Sequence, residues 1–181
     1  FAGDLIKISP TVKVEGRAIW TLSADGTNKV YGETIRKNRG EVWRKWDPFR
    51  SKLGAAILRT KKDPSLLFPP IGSTVVYLGA AHGTTISHIH DHVCGKNNNY
   101  SGRLISVDIS PRCLRDLNHL ASRRPGIIPV FGDARKIEAW SYLIPKGVDI
   151  AQNSPEYVGY IAEHMAVLRQ ESKDDFIKET H

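Results

Sequence analysis

The chain has 181 residues, of which 40% are hydrophobic and 25% are charged, and this balance predicts a globular protein with one sizeable core rather than a disordered chain. No apolar run approaches the roughly 20 residues that a membrane-spanning helix needs, and the first residues lack the pattern of a secretory signal, so we expect no membrane association. The formal net charge of +7 favours an anionic partner, with nucleic acid as the first candidate, because counterion release holds basic proteins to phosphate backbones.

Residues 1–40 predict a small β-rich domain. Short apolar runs at residues 12–14 and 18–22 are separated by turn-forming residues. Asp25-Gly26 stands between two apolar runs and is a fair signal for a hairpin. A basic stretch and an aromatic cluster follow, and Asp47-Pro48 is then typical of the start of a helix, with the aspartate as cap and the proline at the first helical position.

Residues 41–181 predict a Rossmann-like α/β domain. Short apolar runs at 74–78, 103–108 and 127–131 have the character of buried strands, and a fourth strand begins near 148–150. Helical segments separate these strands, which predicts a parallel sheet. From Glu156 onward the chain is polar and helix-like. The last strand would then be poorly covered, so we expect the C-terminal part of this domain to be incomplete.

Glycine and aspartate residues follow three successive predicted strands. Gly79 and Gly83 frame a turn of small residues that would let the backbone come close to a nucleotide-like ligand. Asp108 closes the next strand, where an acid can accept hydrogen bonds from ribose hydroxyls, and Asp133 follows the third, where it could meet an adenine edge. A tight turn and a helix-capping acid remain the alternative interpretation. The spacing differs from that of a dinucleotide fingerprint, and the lysine of a P-loop is absent.

The sequence His-Ile-His-Asp-His at 88–92 invites interpretation as a metal site or as part of a metal hydrolase. On a helix His88 and His92 share a face and His90 points elsewhere, so coordination by all three is awkward. We therefore predict a solvated, partly structural histidine cluster and no metal site. Cys94 and Cys113 lack metal-ligand spacing and are interpreted as two buried thiols, with a disulfide left open.

Lys52 lies in a basic and aromatic neighbourhood, where a solvated helix lysine is the simplest interpretation. Basic side chains near it could form a surface that follows a phosphate backbone. These are Arg36, Lys37, Arg39, Arg44, Lys45 and Arg50. The aromatic residues Trp43, Trp46 and Phe49 could stack on bases, but packing against the helix and the N-terminal domain is the favoured interpretation.

Five segments, lying in the same order within residues 12–152, resemble fibrillarins. They are Val30–Glu33, Trp46–Leu53, Tyr77–Thr85, Ile127–Pro129 and Gly132–Arg135. The resemblance implies a small N-terminal β domain joined to a class I methyltransferase fold. It also implies an enzyme that uses S-adenosylmethionine to methylate ribose 2′-hydroxyls, mainly in ribosomal RNA, at positions that box C/D guide RNAs select.

The resemblance also implies the residues of the site. The implied cofactor contacts lie at strand ends and in the loops that follow them. They are Tyr77, Gly79, Ala81, Thr84, Thr85, Asp108, Ile109, Asp133, Ala134, Asp149, Ile150, Ala151 and Gln152. Lys52 and Asp149 are implied as catalytic: the carboxylate as base or orienting acceptor, and the lysine as the group that tunes it or stabilises negative charge. Asp149 could equally match an earlier strand acid of the family. The family's second catalytic lysine and its histidine have no match in this chain.

The implied partners are a box C/D guide RNA with ribosomal RNA, a Nop5 or Nop56/58-type scaffold protein and an L7Ae-type RNA-binding protein. The nucleolus is the expected location if the source is eukaryotic, which the asparagine-rich loop and the cysteines favour weakly, and the cytoplasm if it is archaeal. Two alternatives stay open: a fibrillarin-like assembly module without catalytic activity, and a methyltransferase that acts on a protein glutamine.

Overall fold

The computed structural model of the protein describes residues 4–143 and 158–162. These residues form a five-stranded antiparallel sheet, a four-stranded parallel sheet and three α-helices. The parallel sheet alternating with helices confirms the predicted α/β class. No helix within these two ranges has the length and apolar character to cross a membrane.

The antiparallel sheet is built by the N-terminal part of the chain, as predicted. Its strands are β1 (Leu5–Ser9), β2 (Val12–Glu15), β3 (Ala18–Leu22), β4 (Ile35–Asn38) and β5 (Glu41–Trp46), in the order β1-β2-β3-β5-β4. Alternate residues such as Val12 and Val14 face the core, which is the two-residue period expected of a half-buried strand. The sheet continues through β5 to Trp46, past residue 40. The division into two domains stays a prediction.

The predicted hairpin at Asp25-Gly26 is wrong. These residues lie in a turn, but β3 pairs with β5 and not with the strand that follows it. The tight hairpin instead joins β4 to β5 through Arg39-Gly40, whose φ angles of 49° and 82° are both positive, as a type I′ turn requires. A local turn signal fixes the turn but not which strands pair across it.

The parallel sheet contains the three strands predicted in the middle of the chain. They are β6 (Thr74–Leu78), β7 (Arg103–Asp108) and β8 (Ile127–Phe131), and a fourth strand, β9 (Val158–Ala162), gives the order β8-β7-β6-β9. The fourth strand predicted near 148–150 lies outside the described residues.

The helix-like interpretation from Glu156 onward is wrong for Val158–Ala162. This segment pairs in parallel with β6, from Thr74 opposite Val158 to Leu78 opposite Ala162. The physical reason lies in β6 rather than in the segment. An unpaired edge on the buried strand β6 would leave its N–H and C=O groups without partners, so strand pairing overrides a weak local preference.

Three α-helices accompany the sheets: α1 (Lys52–Arg59), α2 (Thr84–Val93) and α3 (Pro111–Arg123). Short 3₁₀ turns occur at Pro64–Leu67, Lys96–Asn98, Ile137–Ala139 and Ser141–Leu143. The predicted start of α1 at Asp47-Pro48 is wrong. Ser51 is the cap, its Oγ accepting from the N–H of Gly54 at 3.1 Å, whereas the Asp47 carboxylate accepts from the N–H of Phe49 in a preceding turn.

The histidines of α2 are buried, so the prediction that they are solvated is wrong. The prediction that they have a structural role is correct. His88 is fully buried between Thr21 Oγ1, 2.8 Å from its Nδ1, and Tyr31 Oη, 2.7 Å from its Nε2. His90 Nε2 lies 2.8 Å from the carbonyl oxygen of Pro125. Among the described residues, no group of three or more His, Cys, Asp or Glu side chains is arranged to hold a metal ion.

Four buried charged side chains pack among these histidines and connect the antiparallel sheet to α2. This buried ionic cluster consists of Glu33, Arg44, Asp91 and Arg124. Arg44 Nε donates to Glu33 at 2.7 Å and its Nη1 donates to Asp91 at 2.9 Å, while Arg124 Nη1 donates to Asp91 at 2.7 Å. All four side chains have no solvent exposure, and the two cations balance the two anions. Such a cluster is tolerated because every charge has an opposite partner.

Burial and neighbouring charges shift the titration of these groups. Burial would raise the pKa of Asp91, but the Arg124 and Arg44 guanidiniums beside it hold that pKa below its usual range. Burial lowers the pKa of His88 well below its ordinary value and, together with Arg124, lowers the pKa of His90 to about 4. Both imidazoles are therefore neutral at neutral pH.

The two cysteines are both free thiols, so they form no disulfide with each other. Cys94 is buried as expected, and burial raises its pKa to about 12. Cys113 is only partly buried, because it lies in the first turn of α3, outside the core.

Candidate functional site

The loop between β6 and α2 lies at the carboxyl end of the parallel sheet and is fastened to β7. The N–H groups of Gly79 and Ala80 donate to the carbonyl of Val107, at 2.9 and 3.0 Å. The N–H of Ala81 donates to Asp108 Oδ2 at 2.8 Å. The loop and the predicted ribose-binding acid therefore form one hydrogen-bonded unit at the edge where Rossmann-like folds bind nucleotides.

Asp108 is held by both of its carboxylate oxygens. Oδ2 accepts from Ala81, and Oδ1 accepts from the N–H of Ser110 at 2.9 Å. The side chain is half-buried at the end of β7. A carboxylate oxygen has a second lone pair, so each can still accept a hydrogen bond from a hydroxyl. The structure thus fixes the orientation of this acid without using its full acceptor capacity.

Gly79 and Gly83 have different roles. Gly79 has a φ of 78°, and a Cβ built on it would meet no atom within 4 Å, so the backbone borders open space there. Gly83 has a φ of 88°, and its Cβ would lie 2.7 Å from Cδ2 of Leu120. Gly79 therefore suits close approach by a ligand, while Gly83 is needed for packing against α3.

Asp133 lies after β8, on the same edge of the sheet, and binds Arg135. Its Oδ1 accepts from Arg135 Nε at 2.9 Å and its Oδ2 from Arg135 Nη2 at 2.7 Å. These hydrogen bonds lower the pKa of Asp133 to about 2, so the carboxylate is ionised at neutral pH. Because the Arg135 side chain is 87% exposed, a ligand that donates to Asp133 could displace it.

The other predicted cofactor residues have varied positions. The side chain of Tyr77 is buried in the core, so this position can reach the crevice only through its backbone. Thr84 is the first residue of α2, Ile109 is 58% exposed after β7, and Ala134 is half-buried beside Asp133. The residues from Asp149 to Gln152, including the predicted catalytic aspartate, lie outside the described residues.

Lys52 is the exposed first residue of α1, and its neighbour Ser51 fastens that helix to the crevice. The Ser51 hydroxyl accepts from Thr85 Oγ1 at 2.9 Å while it caps α1. The start of α1 is thereby joined to the first turn of α2. Sequence reasoning missed Ser51, although a serine directly before a helical run is a cap signal.

The predicted basic surface and aromatic cluster are only partly correct. Arg44 is not on the surface, because it belongs to the buried ionic cluster. Trp43 and Trp46 are buried, as favoured, but Phe49 is 98% exposed and packs against neither the helix nor the sheet. Phe49 instead borders an open pocket of about 410 Å³ on the antiparallel sheet, which we call the basic pocket. Its basic lining residues are Arg17, Lys45 and Arg50.

A parallel sheet with a glycine turn after its first strand and a fixed acid after its second defines a Rossmann-like fold of the class I methyltransferase type. The fibrillarin family model matches residues 10–166, and the chain belongs to this family. The resemblance that the five sequence segments indicated is therefore confirmed.

Comparison with individual proteins agrees with the family. A fibrillarin-like rRNA/tRNA 2′-O-methyltransferase of Thermococcus onnurineus is 48% identical over 123 residues, which cover 67% of this chain and 50% of the relative. The crystal structure of Aeropyrum pernix fibrillarin with natively bound S-adenosyl-L-methionine has a TM-score of 0.64 and 31% identity, covering 78% of this chain and 63% of that one. The fibrillarin chain of a fibrillarin/Nop5p complex has a TM-score of 0.57 and 33% identity, covering 71% and 54%. The chain spans about half the length of the two Thermococcus relatives, from T. onnurineus and T. gammatolerans, that it matches.

Proposed function

We propose that this protein is an S-adenosylmethionine-dependent RNA 2′-O-methyltransferase of the box C/D guide-RNA ribonucleoprotein, acting mainly on ribosomal RNA. The observation that carries the proposal is the hydrogen-bonded unit of the glycine turn and Asp108 at the carboxyl end of the sheet. The related Aeropyrum fibrillarin, which binds S-adenosylmethionine, supports this choice of ligand.

The residues around the crevice fit this cofactor. Asp108 offers lone pairs to ribose hydroxyls, and the open space at Gly79 leaves room for a ligand against the backbone. The first N–H groups of α2, from Thr84 onward, have no partner within the helix and suit a carboxylate. We assign Asp133 to a hydrogen bond with the adenine and Ile109 to an apolar contact with it, because both follow strands at this edge of the sheet. When bound, S-adenosylmethionine supplies an electrophilic methyl group.

Among the residues that the structure describes, we assign Lys52 a part in the reaction. It is the first residue of α1, and Ser51 ties that helix to Thr85 at the crevice. Its ammonium would stabilise the negative charge that develops on a ribose oxygen as its proton leaves. Asp149 remains our predicted acceptor for that proton.

The proposed partners follow the family. A Nop5-type scaffold is supported by the related fibrillarin/Nop5p complex. The guide RNA with its ribosomal RNA target and the L7Ae-type RNA-binding protein stay predictions, as does the nucleolar or cytoplasmic location.

Calorimetric titration of the chain with S-adenosylmethionine tests the cofactor site. We expect micromolar binding by the wild type and at least tenfold weaker binding by Asp108→Asn, which keeps the size of the side chain but removes its charge. Glu15→Gln neutralises an acid on the antiparallel sheet, whose side chain is 40% exposed and pairs with Arg36, and should leave affinity unchanged. Equal affinity in Asp108→Asn, or no binding by the wild type, would contradict the proposed site.

Methyl transfer to RNA tests the activity. The protein is incubated with labelled S-adenosylmethionine, the partner proteins, a guide RNA and its target, and the methylated nucleotide is mapped. We expect label on a single ribose 2′-oxygen and its loss in Lys52→Ala with cofactor affinity retained. Label on protein glutamine would favour the alternative substrate, and cofactor binding without transfer would favour an assembly module.

A further inference from the structure

We propose that Cys113, His82 and Asp116 form a modification site, which we term the thiol site, where a low-molecular-weight disulfide exchanges with the Cys113 thiol, and that the adduct weakens cofactor binding. The first part of this inference stands on the geometry of the thiol site. The effect on the cofactor rests on the proposed function, because it acts through Asp108.

A nucleophile, a base and an orienting acid follow one another in the thiol site. His82 Nε2 lies 3.8 Å from Cys113 Sγ, and His82 Nδ1 lies 2.6 Å from Asp116 Oδ2. An ionised carboxylate can only accept, so Nδ1 donates to it, and in the neutral ring Nε2 presents its lone pair to the thiol. An imidazole that is held by a third group in this way is the arrangement that activates a cysteine.

Two elements of the fold bring these side chains together. Cys113 and Asp116 are three residues apart on α3, a spacing that puts both side chains on one face of a helix. His82 reaches them from the loop between β6 and α2. Cys113 also lies in the first turn of α3, where the helix dipole stabilises a developing thiolate.

The two cysteines of the chain differ in exposure. Cys113 is half-buried, and the side chains of His82 and Asp116 are 56% and 41% exposed, so a small reagent can approach the sulfur. Cys94 is buried, and this burial raises its pKa to about 12. Modification of the folded chain should therefore be confined to Cys113.

The reaction is a thiol–disulfide exchange that needs no further oxidant. Cys113 Sγ attacks one sulfur of the reagent while its proton passes to His82 Nε2. The sulfur–sulfur bond of the reagent breaks, and a new one joins Cys113 to one half. The other half leaves as a thiolate and takes the proton from the imidazolium. The Cys113 sulfur is thus oxidised while the departing half of the reagent is reduced.

Disulfide exchange fits the thiol site better than metal binding or hydrolysis. Among the residues that the structure describes, no group of three or more His, Cys, Asp or Glu side chains is arranged for a metal ion. Hydrolysis of an ester or amide needs donors for an oxyanion. The N–H of Cys113, a natural candidate, already donates to Ser110 Oγ at 3.4 Å. Exchange with a disulfide requires only the nucleophile and its base.

The thiol site shares two backbone segments with the acid of the cofactor site. Asp108 accepts from the N–H of Ala81 at 2.8 Å and from the N–H of Ser110 at 2.9 Å. His82 directly follows Ala81, and Ser110 caps the helix that carries Cys113. An adduct on Sγ displaces the His82 ring and shifts the loop that orients Asp108. Loss of one hydrogen bond to a charged group is enough to lower affinity about tenfold.

Mass spectrometry of the chain during incubation with oxidised glutathione tests the thiol site. We expect a single adduct on the folded chain, mapped to Cys113 by proteolysis, and none on Cys113→Ser. Cys113 should react about tenfold faster in the folded chain than in the urea-unfolded chain. This gain is below the roughly 10²–10⁴-fold that a base gives in an enclosed active site, because water reaches this pair.

Substitution of the base separates its effect from that of folding. His82→Gln should react at the rate of the unfolded chain. The matched control is His119→Gln, which removes another exposed imidazole, six residues further along α3, and should react like the wild type. Continued protection of Cys94 from glutathione shows that each variant is folded.

Asp116 is a positioning residue, so its effect must pass through His82. Asp116→Asn should slow the exchange, and Asp116→Glu should restore most of the rate. Asp116→Asn combined with His82→Gln should be no slower than His82→Gln alone. A further loss of rate in the double variant would overturn this role.

Titration with S-adenosylmethionine tests the effect of the adduct. The glutathione adduct of the wild type should bind the cofactor about tenfold more weakly, and reduction with dithiothreitol should restore the affinity. Cys113→Ser treated with oxidised glutathione should bind like the untreated wild type.

The possible failures are distinguishable. Equal exchange rates in the folded and unfolded chain, or in the wild type and His82→Gln, overturn the thiol site. Unchanged cofactor affinity in the adduct overturns the effect on the cofactor. Absence of cofactor binding by the unmodified wild type would instead contradict the proposed function, and the exchange rates, which are measured without cofactor, would still decide the thiol site.

Discussion

Removal of the charge on Asp91 should destabilise the protein more than most single substitutions. Its Oδ2 accepts from Thr21 Oγ1 at 2.6 Å and from Arg44 at 2.9 Å, and its Oδ1 accepts from Arg124 at 2.7 Å and from the N–H of Ala24 at 2.8 Å. In Asp91→Asn both guanidiniums stay buried, but the anion between them is gone. Breaking a buried ion pair in this way costs about 3–5 kcal/mol, a large share of the roughly 5–15 kcal/mol that stabilises a typical domain.

Urea denaturation followed by circular dichroism at neutral pH measures this loss. Asp116→Asn is the matched control, because its carboxylate pairs with His82 on the surface, with side-chain exposures of 41% and 56%. An exposed pair contributes at most about 1 kcal/mol, so the control should unfold close to the wild type. A loss in Asp91→Asn no larger than that of the control would refute our view that Asp91 neutralises two buried cations.

Three further predictions concern the rest of the fold. His90 has a pKa of about 4 when folded, while an unfolded imidazole binds its proton near pH 6.5. The unfolded state therefore binds more protons between these values. This residue alone should lower the free energy of unfolding, measured by urea denaturation at each pH, by about 3 kcal/mol from pH 7 to pH 4. The free energy of unfolding should fall less over this pH range in His90→Gln. Gly83→Ala should lower the free energy of unfolding, measured by thermal denaturation, by about 1–3 kcal/mol because the new Cβ meets Leu120. Gly26→Ala should lower it less, because Gly26 also has a positive φ but a Cβ there would have no atom within 4 Å. Ser51→Ala should cost about 1 kcal/mol through the lost cap, and Ser51→Thr should restore most of it.

The central strands and the crevice could be predicted because their signals are local. The β-branched runs of β6, β7 and β8 each carry their own hydrophobic pattern, and the carboxyl ends of parallel strands meet at one edge whatever the rest of the chain does. Gly79, Asp108 and Asp133 were therefore placed on one edge of the sheet from sequence alone. The start of α1 was misplaced because Asp47-Pro48 and Ser51-Lys52 both satisfy the rules for a helix start, and choosing between them requires the Thr85 contact.

The burial of the histidines could not be predicted, because it depends on partners distant in sequence. Asp91 looks like a solvated helix residue until Arg44 on β5 and Arg124 after α3 are brought to it. For the same reason, Arg44 was wrongly predicted to lie on the surface that would face RNA. Charged side chains are placed outside by default, and only the tertiary structure shows which of them find buried partners.

The buried ionic cluster also bears on whether the antiparallel sheet is a separable unit. Arg44 and Glu33 come from that sheet and the segment before it, whereas Asp91 and Arg124 come from the parallel part of the fold. Without the N-terminal segment, Asp91 would lose Thr21 and Arg44, and His88 would lose Tyr31. The face of α2 that carries these residues would then be exposed, although its first turn borders the crevice. The antiparallel sheet therefore completes the support of the candidate cofactor site as well as carrying the basic pocket, so we expect the two parts to unfold together.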